Sequence, residues 1–272
     1  LPKTMSTLNW NAIADETLQL LQGLIRLKTV NPPGNEKIAA DHIAQILQQN
    51  GVTPIVIETA PNRGNVIARL KGDGSLPPLL LYSHTDVVPV EPEKWTMDPF
   101  GGEIKDGYVY GRGSIDMKGI GAMQLAVFLT LVRQGIRPKR DIILAATADE
   151  ENDTNQGIGV LVRNHPDLLK AEYAFSEFGG FSLQIGKRTF YPIQVAEKGT
   201  AWLRLRAKGR PGHASIPHND NAVVHLGQAL WRLGRASLPL HLTNASRGFI
   251  ERYSDAVGGP VGRAMKAWLN TN

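Results

Sequence analysis

Two short runs constrain this chain more than anything else in it. LLLYS (79–83) and IILAATA (142–148) are apolar on both phases of the strand alternation. Successive side chains of a strand point to opposite faces, so such strands are covered on both sides and sit centrally in a sheet. Helical patterns surround them. Residues 11–28 place apolar groups at 13, 20, 21, 24 and 25, and residues 36–50 form a second amphipathic segment stopped by Gly51. Residues 118–134 and a stretch near 157–170 continue the series. The runs TPIVIET (53–59), GNVIARL (64–70) and AEYAFS (171–176) add strands, and the Asp-Gly of GEIKDGYVYG (102–111) marks a hairpin. Strands alternating with helices predict an α/β domain with a mostly parallel central sheet and helices on both faces. In such sheets, ligands gather beyond the carboxyl ends of the strands.

Near residue 197 the texture changes. Residues 197–209 alternate as a half-exposed strand, 209–220 (GRPGHASIPHND) read as a loop, and 220–235 as an amphipathic helix. The expected division is a catalytic domain over 1–196 and part of a smaller α+β domain over 197–272, whose tail from 236 is weakly patterned. The net charge of +5 comes without a Lys/Arg cluster or basic helix, so it reads as a solvated surface and nucleic acid is not an expected partner. The longest uncharged apolar run, GIGAMQLAVFLTLV (119–132), has 14 residues, short of the ~20 that span a bilayer, so no membrane association is expected. No charged-then-apolar leader is visible at LPKTMSTLNW, which favours the cytoplasm without fixing the compartment.

The candidate chemistry lies just past the strands. His84 and Asp86 follow LLLYS, Asp149, Glu150 and Glu151 follow IILAATA, Glu177 follows AEYAFS, and Asp116 sits in a glycine-rich loop that opens a helix. Singly, each has an ordinary reading: a surface histidine, or a carboxylate capping a helix. Together, carboxylates converging on one sheet edge repel one another unless a cation sits among them. The chain has no cysteine, so a metal would be held by His, Asp and Glu, a donor set that suits Zn²⁺ or a similar divalent ion. Two ions sharing Asp116 are compatible with the number of donors.

These residues also carry a resemblance. SHTDVVP, W-x-x-D-P-F, D-G-x-x-Y-G-R-G-x-x-D-M-K-G and A-D-E-E, in this order, resemble the cocatalytic zinc exopeptidase and amidohydrolase family, which includes aminoacylase, carboxypeptidase G and succinyl-diaminopimelate desuccinylase. The resemblance runs from about residue 10 to residue 235. It implies metal-assisted hydrolysis of an amide or peptide bond in an N-acyl amino acid or small peptide, with two zinc ions per full site. Cobalt or manganese would suit the same donors. It further implies that His84 and Glu177 bind one ion, Asp116 bridges both and Glu151 binds the second. Asp86 would orient the His84 ring, and Glu150 would be the general base. His213 would act as an oxyanion donor reaching the other subunit's site in a homodimer.

The family's chains are longer and return to the catalytic domain to supply a last histidine ligand. Here the sequence stops at Asn272, within the expected small domain, and ENDTNQG follows where the family often has glycines. Three readings follow: a portion of a longer enzyme, a truncated zinc-binding or dimerisation module without activity, and a metal-free domain with a structural acidic cluster. The first is favoured, because every chemical group upstream of the break is present.

Overall fold

The computed structural model describes residues 8–177, 181–195, 197, 199, 201 and 203–271. The chain divides into two compact units, Leu1–Glu177 and Phe178–Asn272, ahead of the change of texture near 197.

In chain order the first unit runs α1 (Trp10–Arg26), α2 (Lys37–Gln49), β1 (Ile55–Ala60), β2 (Arg63–Leu70), β3 (Leu79–His84), β4 (Glu103–Lys105), β5 (Tyr108–Tyr110), α3 (Lys118–Arg133), β6 (Ile142–Thr147), α4 (Ile158–Asn164), α5 (Pro166–Leu169) and β7 (Tyr173–Phe175). The central sheet has the order β1-β2-β6-β3-β7. The expected α/β class holds: β6, β3 and β7 form a parallel core, and β2 joins β6 antiparallel with β1 outside it. β1 and β2 must be antiparallel, because only Pro61 and Asn62 separate them and a parallel crossover needs a dozen residues or more.

The doubly apolar pattern of β6 has its explanation in the packing. Ile142, Leu144 and Ala146 join Leu24 of α1, Ile43 and Leu47 of α2, and Leu125 and Phe128 of α3 on one face. Ile143 and Ala145 point the other way and pack with Leu161 of α4 and Leu169 of α5. The stretch near 157–170 is two helices rather than one. Pro166 lacks a backbone N–H and disfavours helical geometry in the residue before it, and His165 accordingly stands at φ −135°, ψ 47°.

The second unit contains the hairpin β8 (Leu183–Ile185) and β9 (Arg188–Phe190), then α6 (Ala222–Arg235), α7 (Asn244–Val257) and α8 (Gly259–Thr271). Two expectations change here. The strand read over 197–209 is absent at its described residues, while 198, 200 and 202 lie outside them. A strand is held by its ladder partner, and Leu203 is 75% exposed. The tail from 236 is strongly helical. Thr243 caps α7 reciprocally with Ser246, and Gly258, at φ 61°, ends it. No helix among the described residues is long and apolar enough to cross a membrane.

Candidate metal centre

The register of the parallel strands decides what meets at the sheet edge. β3 pairs with β6 so that His84 lies opposite Thr147, and β7 pairs with β3 so that Phe175 lies opposite Leu81. The chain leaving these strands emerges at one edge, and with it His84, Asp86, Asp149 to Glu151 and Glu177. Asp116 arrives from the loop before α3. In that loop Gly113 stands at φ 86°, and a Cβ on it would lie 2.8 Å from Val87 Cγ1, so glycine is required. Asp116 does not cap its helix: the N-cap is Met117, with no side-chain hydrogen bond.

The buried ring of His84 organises the site. Its Nδ1 faces the Asp86 carbonyl oxygen at 3.0 Å and Asp86 Oδ1 at 3.3 Å. A carbonyl oxygen only accepts, so Nδ1 carries a proton, and in the neutral ring Nε2 presents a lone pair. Nε2 lies 3.1 Å from Asp116 Oδ1, 3.4 Å from Glu177 Oε2 and 3.7 Å from Glu150 Oε2. Asp86 is fully buried and accepts the Glu150 N–H at 3.1 Å, the Glu151 N–H at 3.0 Å and the Asn31 side-chain amide at 2.8 Å.

The electrostatics describe a site short of positive charge. Burial pulls the His84 pKa down, yet hydrogen bonds to Asp116, Asp86 and Glu177 outweigh it and hold the pKa far above the usual imidazole value. The His84 hydrogen bond lowers the Asp116 pKa. Burial pushes Asp86 up, but its hydrogen bonds with His84 and Asn31 leave it below the ordinary carboxylate value. Glu151 is raised to about 7, first by burial and then by the charge of Asp116, and Glu150 is raised mainly by burial.

His84, Asp116 and Glu177 each offer a donor atom, and these atoms lie within 4.8 Å of one another. One imidazole nitrogen and two carboxylate oxygens, with no thiolate, fit a divalent ion such as Zn²⁺, Co²⁺ or Mn²⁺. Glu151 stands outside this three-donor group, although Asp116 acts on its charge. His213 is an exposed histidine of the second unit, with Nδ1 2.8 Å from Ser215 Oγ.

Three residues escaped the sequence reading. Asn31 lies in what reads only as the loop TVNPPGN, Arg63 opens a strand and Glu36 opens a helix. All three are buried, and Arg63 forms ion pairs with Glu36 at 2.8 Å and Asp149 at 2.7 Å. Burial pushes Glu36 up to about 7 despite this guanidinium. The available signal was a cation set just ahead of the apolar run Val66-Ile67-Ala68.

Residues 80–237, more than half of the chain, match the sequence model of peptidase family M20/M25/M40. The chain belongs to that family. Aminoacylase-1 of Sus scrofa is 34% identical over 220 residues, which are 79% of this chain and 52% of that protein. Succinyl-diaminopimelate desuccinylase of Rhodospirillum centenum is 32% identical over 263 residues, covering 94% of this chain and 66% of that protein. The chain thus spans about half the length of the aminoacylase it matches. In fold it resembles an M20 family metallo-carboxypeptidase from Sulfolobus solfataricus, at a TM-score of 0.64 and 18% identity, over 93% of this chain and 63% of that one.

Proposed function

We propose that this M20 chain carries the catalytic groups of a metal-dependent hydrolase that cleaves the amide or peptide bond of an N-acyl amino acid or small peptide. The observation that carries the reading is the convergence of His84, Asp116 and Glu177 donors within 4.8 Å at the parallel sheet edge. His84 and Glu177 would hold one zinc, Asp116 would bridge to a second and Glu151 would bind that second ion. Zinc bound here supplies Lewis-acid polarisation of water and of the scissile carbonyl. Asp86 fixes the His84 ring through Nδ1, which keeps Nε2 directed at the donors.

Glu150 is the proton carrier in this reading. Its carboxylate lies 3.7 Å from His84 Nε2 without belonging to the three-donor group, so it stands beside the site and free to exchange a proton. It takes a proton from water as oxygen attacks the carbonyl carbon, and returns it to the nitrogen as the C–N bond breaks. Burial raises its pKa, which brings it nearer the range in which an acid also serves as a base. His213 is assigned as the donor to the developing oxyanion, supplied across a homodimer.

The test is Glu150→Gln assayed on N-acetyl amino acids and dipeptides, with zinc counted in the same sample. Turnover falls by roughly 10²–10⁴-fold, the usual contribution of a positioned acid–base group, while zinc content is unchanged. Loss of zinc would reassign Glu150 as a ligand. A stoichiometry near two zincs supports the two-ion site, one zinc supports a binding module without this chemistry, and none leaves the acidic cluster structural.

A further inference from the structure

Behind the His84 ring, around Asp86, lies a buried polar cluster whose other members the proposed chemistry does not use. Asn31 is 2% exposed, and its side-chain amide donates twice, to Asp86 Oδ2 at 2.8 Å and to Asp149 Oδ1 at 3.0 Å. An amide NH₂ has two hydrogens, so both are spent on carboxylates. Asp86 faces the His84 ring and receives the backbone N–H groups of Glu150 and Glu151. Asp149 immediately precedes those two residues. One amide therefore ties the imidazole side of the site to its acidic turn.

We propose that Asn31 is a positioning residue for the metal centre: by holding Asp86 against Asp149 it sets how the His84 ring and the Glu150–Glu151 turn approach the ion. This rests on the metal-binding reading of the cluster. The orientation of the amide is imposed by its surroundings. Asn31 Oδ1 faces the Arg63 Nη1 donor at 3.5 Å, and a flipped amide would set that oxygen against two carboxylates. Arg63 supplies the compensating charge, with Nη2 2.7 Å from Asp149 Oδ1, Nε 2.8 Å from Glu36 Oε2 and Nη1 donating to the Pro33 carbonyl at 2.8 Å.

The loop itself is anchored at both ends of this contact. The Asn31 N–H donates to the Val87 carbonyl at 2.9 Å, and the Val87 N–H donates to the Thr29 carbonyl at 3.0 Å. Gly34, at φ 86°, lies directly against the Arg63 guanidinium, where any Cβ would collide with it. The backbone of 29–34 is thus fixed before the Asn31 side chain is placed. A side chain with one donor, or none, cannot make the same pair of contacts from that position.

The experiment titrates Zn²⁺ alone, by calorimetry, into the metal-free full chain and into Asn31→Ala and Asn31→Leu; the second replaces the amide with an apolar group of similar size. Leu47→Ala, in the fully buried core of α2 and away from the cluster, serves as a destabilised control. Both Asn31 variants are expected to raise the zinc Kd by roughly 10–100-fold, the usual effect of removing a group that orients a metal ligand. Leu47→Ala is expected to melt at a lower temperature with an unchanged Kd. Wild-type affinity in both Asn31 variants overturns the proposal, as does an equal loss in Leu47→Ala. If the wild-type chain itself binds no zinc, the metal-centre reading falls and this inference with it, a result visible before any variant is made.

Discussion

The two units follow the same folding rules but differ in how much of their apolar surface they cover. In the first, the central strands are sandwiched between helical layers, and Ile25, Phe128, Leu129 and Ile143 are fully buried. In the second, α6 is amphipathic yet has no buried residue: Val223 is 78% exposed and Trp231 64%. Amphipathic spacing makes a helix predictable, but burial of its apolar stripe needs an opposing layer. The chemistry is found where the layers are closed. A fully buried His84 and Asp86 are tolerable only where every lone pair and proton is met, which a closed layer with fixed hydrogen bonds provides.

The sharpest way to break this comparison is to remove a large side chain from each unit and measure urea unfolding. Phe128→Ala leaves a cavity between α3 and the sheet and is expected to cost about 3–5 kcal/mol. Trp231→Ala on α6 removes a ring that faces solvent, so its expected cost is within about 0.5 kcal/mol. A cost for Trp231→Ala comparable to that for Phe128→Ala would mean that the α6 face is covered in solution, and the contrast would vanish.

The second prediction concerns the histidines. Site affinities built from four zinc donors amount to roughly 10–16 kcal/mol, so deleting one donor weakens binding by roughly 100-fold or more. His84→Ala is expected to do this. His213→Ala, in the second unit, is expected to leave the zinc Kd within about twofold while reducing turnover, because an oxyanion donor acts on the reaction and not on the ion. Equal losses of zinc in both variants would make His213 a ligand and end the division of labour.

Much of this was legible in the residues, and the reason is periodicity. LLLYS and IILAATA announced strands covered on both faces, and the sheet places their alternate residues in two separate apolar clusters. The strand-end positions of His84 and Glu177 followed from the same reading, whereas Asp116 was marked by the glycines of the loop before α3. What stayed hidden depends on contacts distant in sequence. Asn31 meets Asp86 and Asp149 across 55 and 118 residues, and no local pattern marks such a pair. The tail after 236 was hidden for a different reason. α7 and α8 pack on each other, so weak individual patterns suffice for both, and the Thr243 cap with the Gly258 stop was the signal to weigh.

The smallest test compares one ion pair from each unit. Asp141 accepts from Arg69 at 3.1 Å, Lys71 at 2.8 Å and the Gly72 N–H at 2.9 Å. Burial pushes its pKa up, but these hydrogen bonds prevail and hold it down at about 2. The folded state therefore binds fewer protons than the unfolded state between about pH 4 and pH 2. The stabilisation is fully present above about pH 4 and is lost as pH falls through about 2. Solvent around Lys71 screens part of it, so Asp141→Asn is expected to cost ~1 kcal/mol at neutral pH, with the difference closing toward pH 2. Among the described residues Asp255 in the second unit pairs with Lys266, and both side chains are more than half exposed. A flexible lysine and a hydrated carboxylate gain little by meeting, so Asp255→Asn is expected to leave the unfolding midpoint at neutral pH unchanged. A loss at neutral pH in Asp255→Asn equal to that in Asp141→Asn would show that the second unit holds its charges as firmly as the first, against the difference in burial on which the comparison stands.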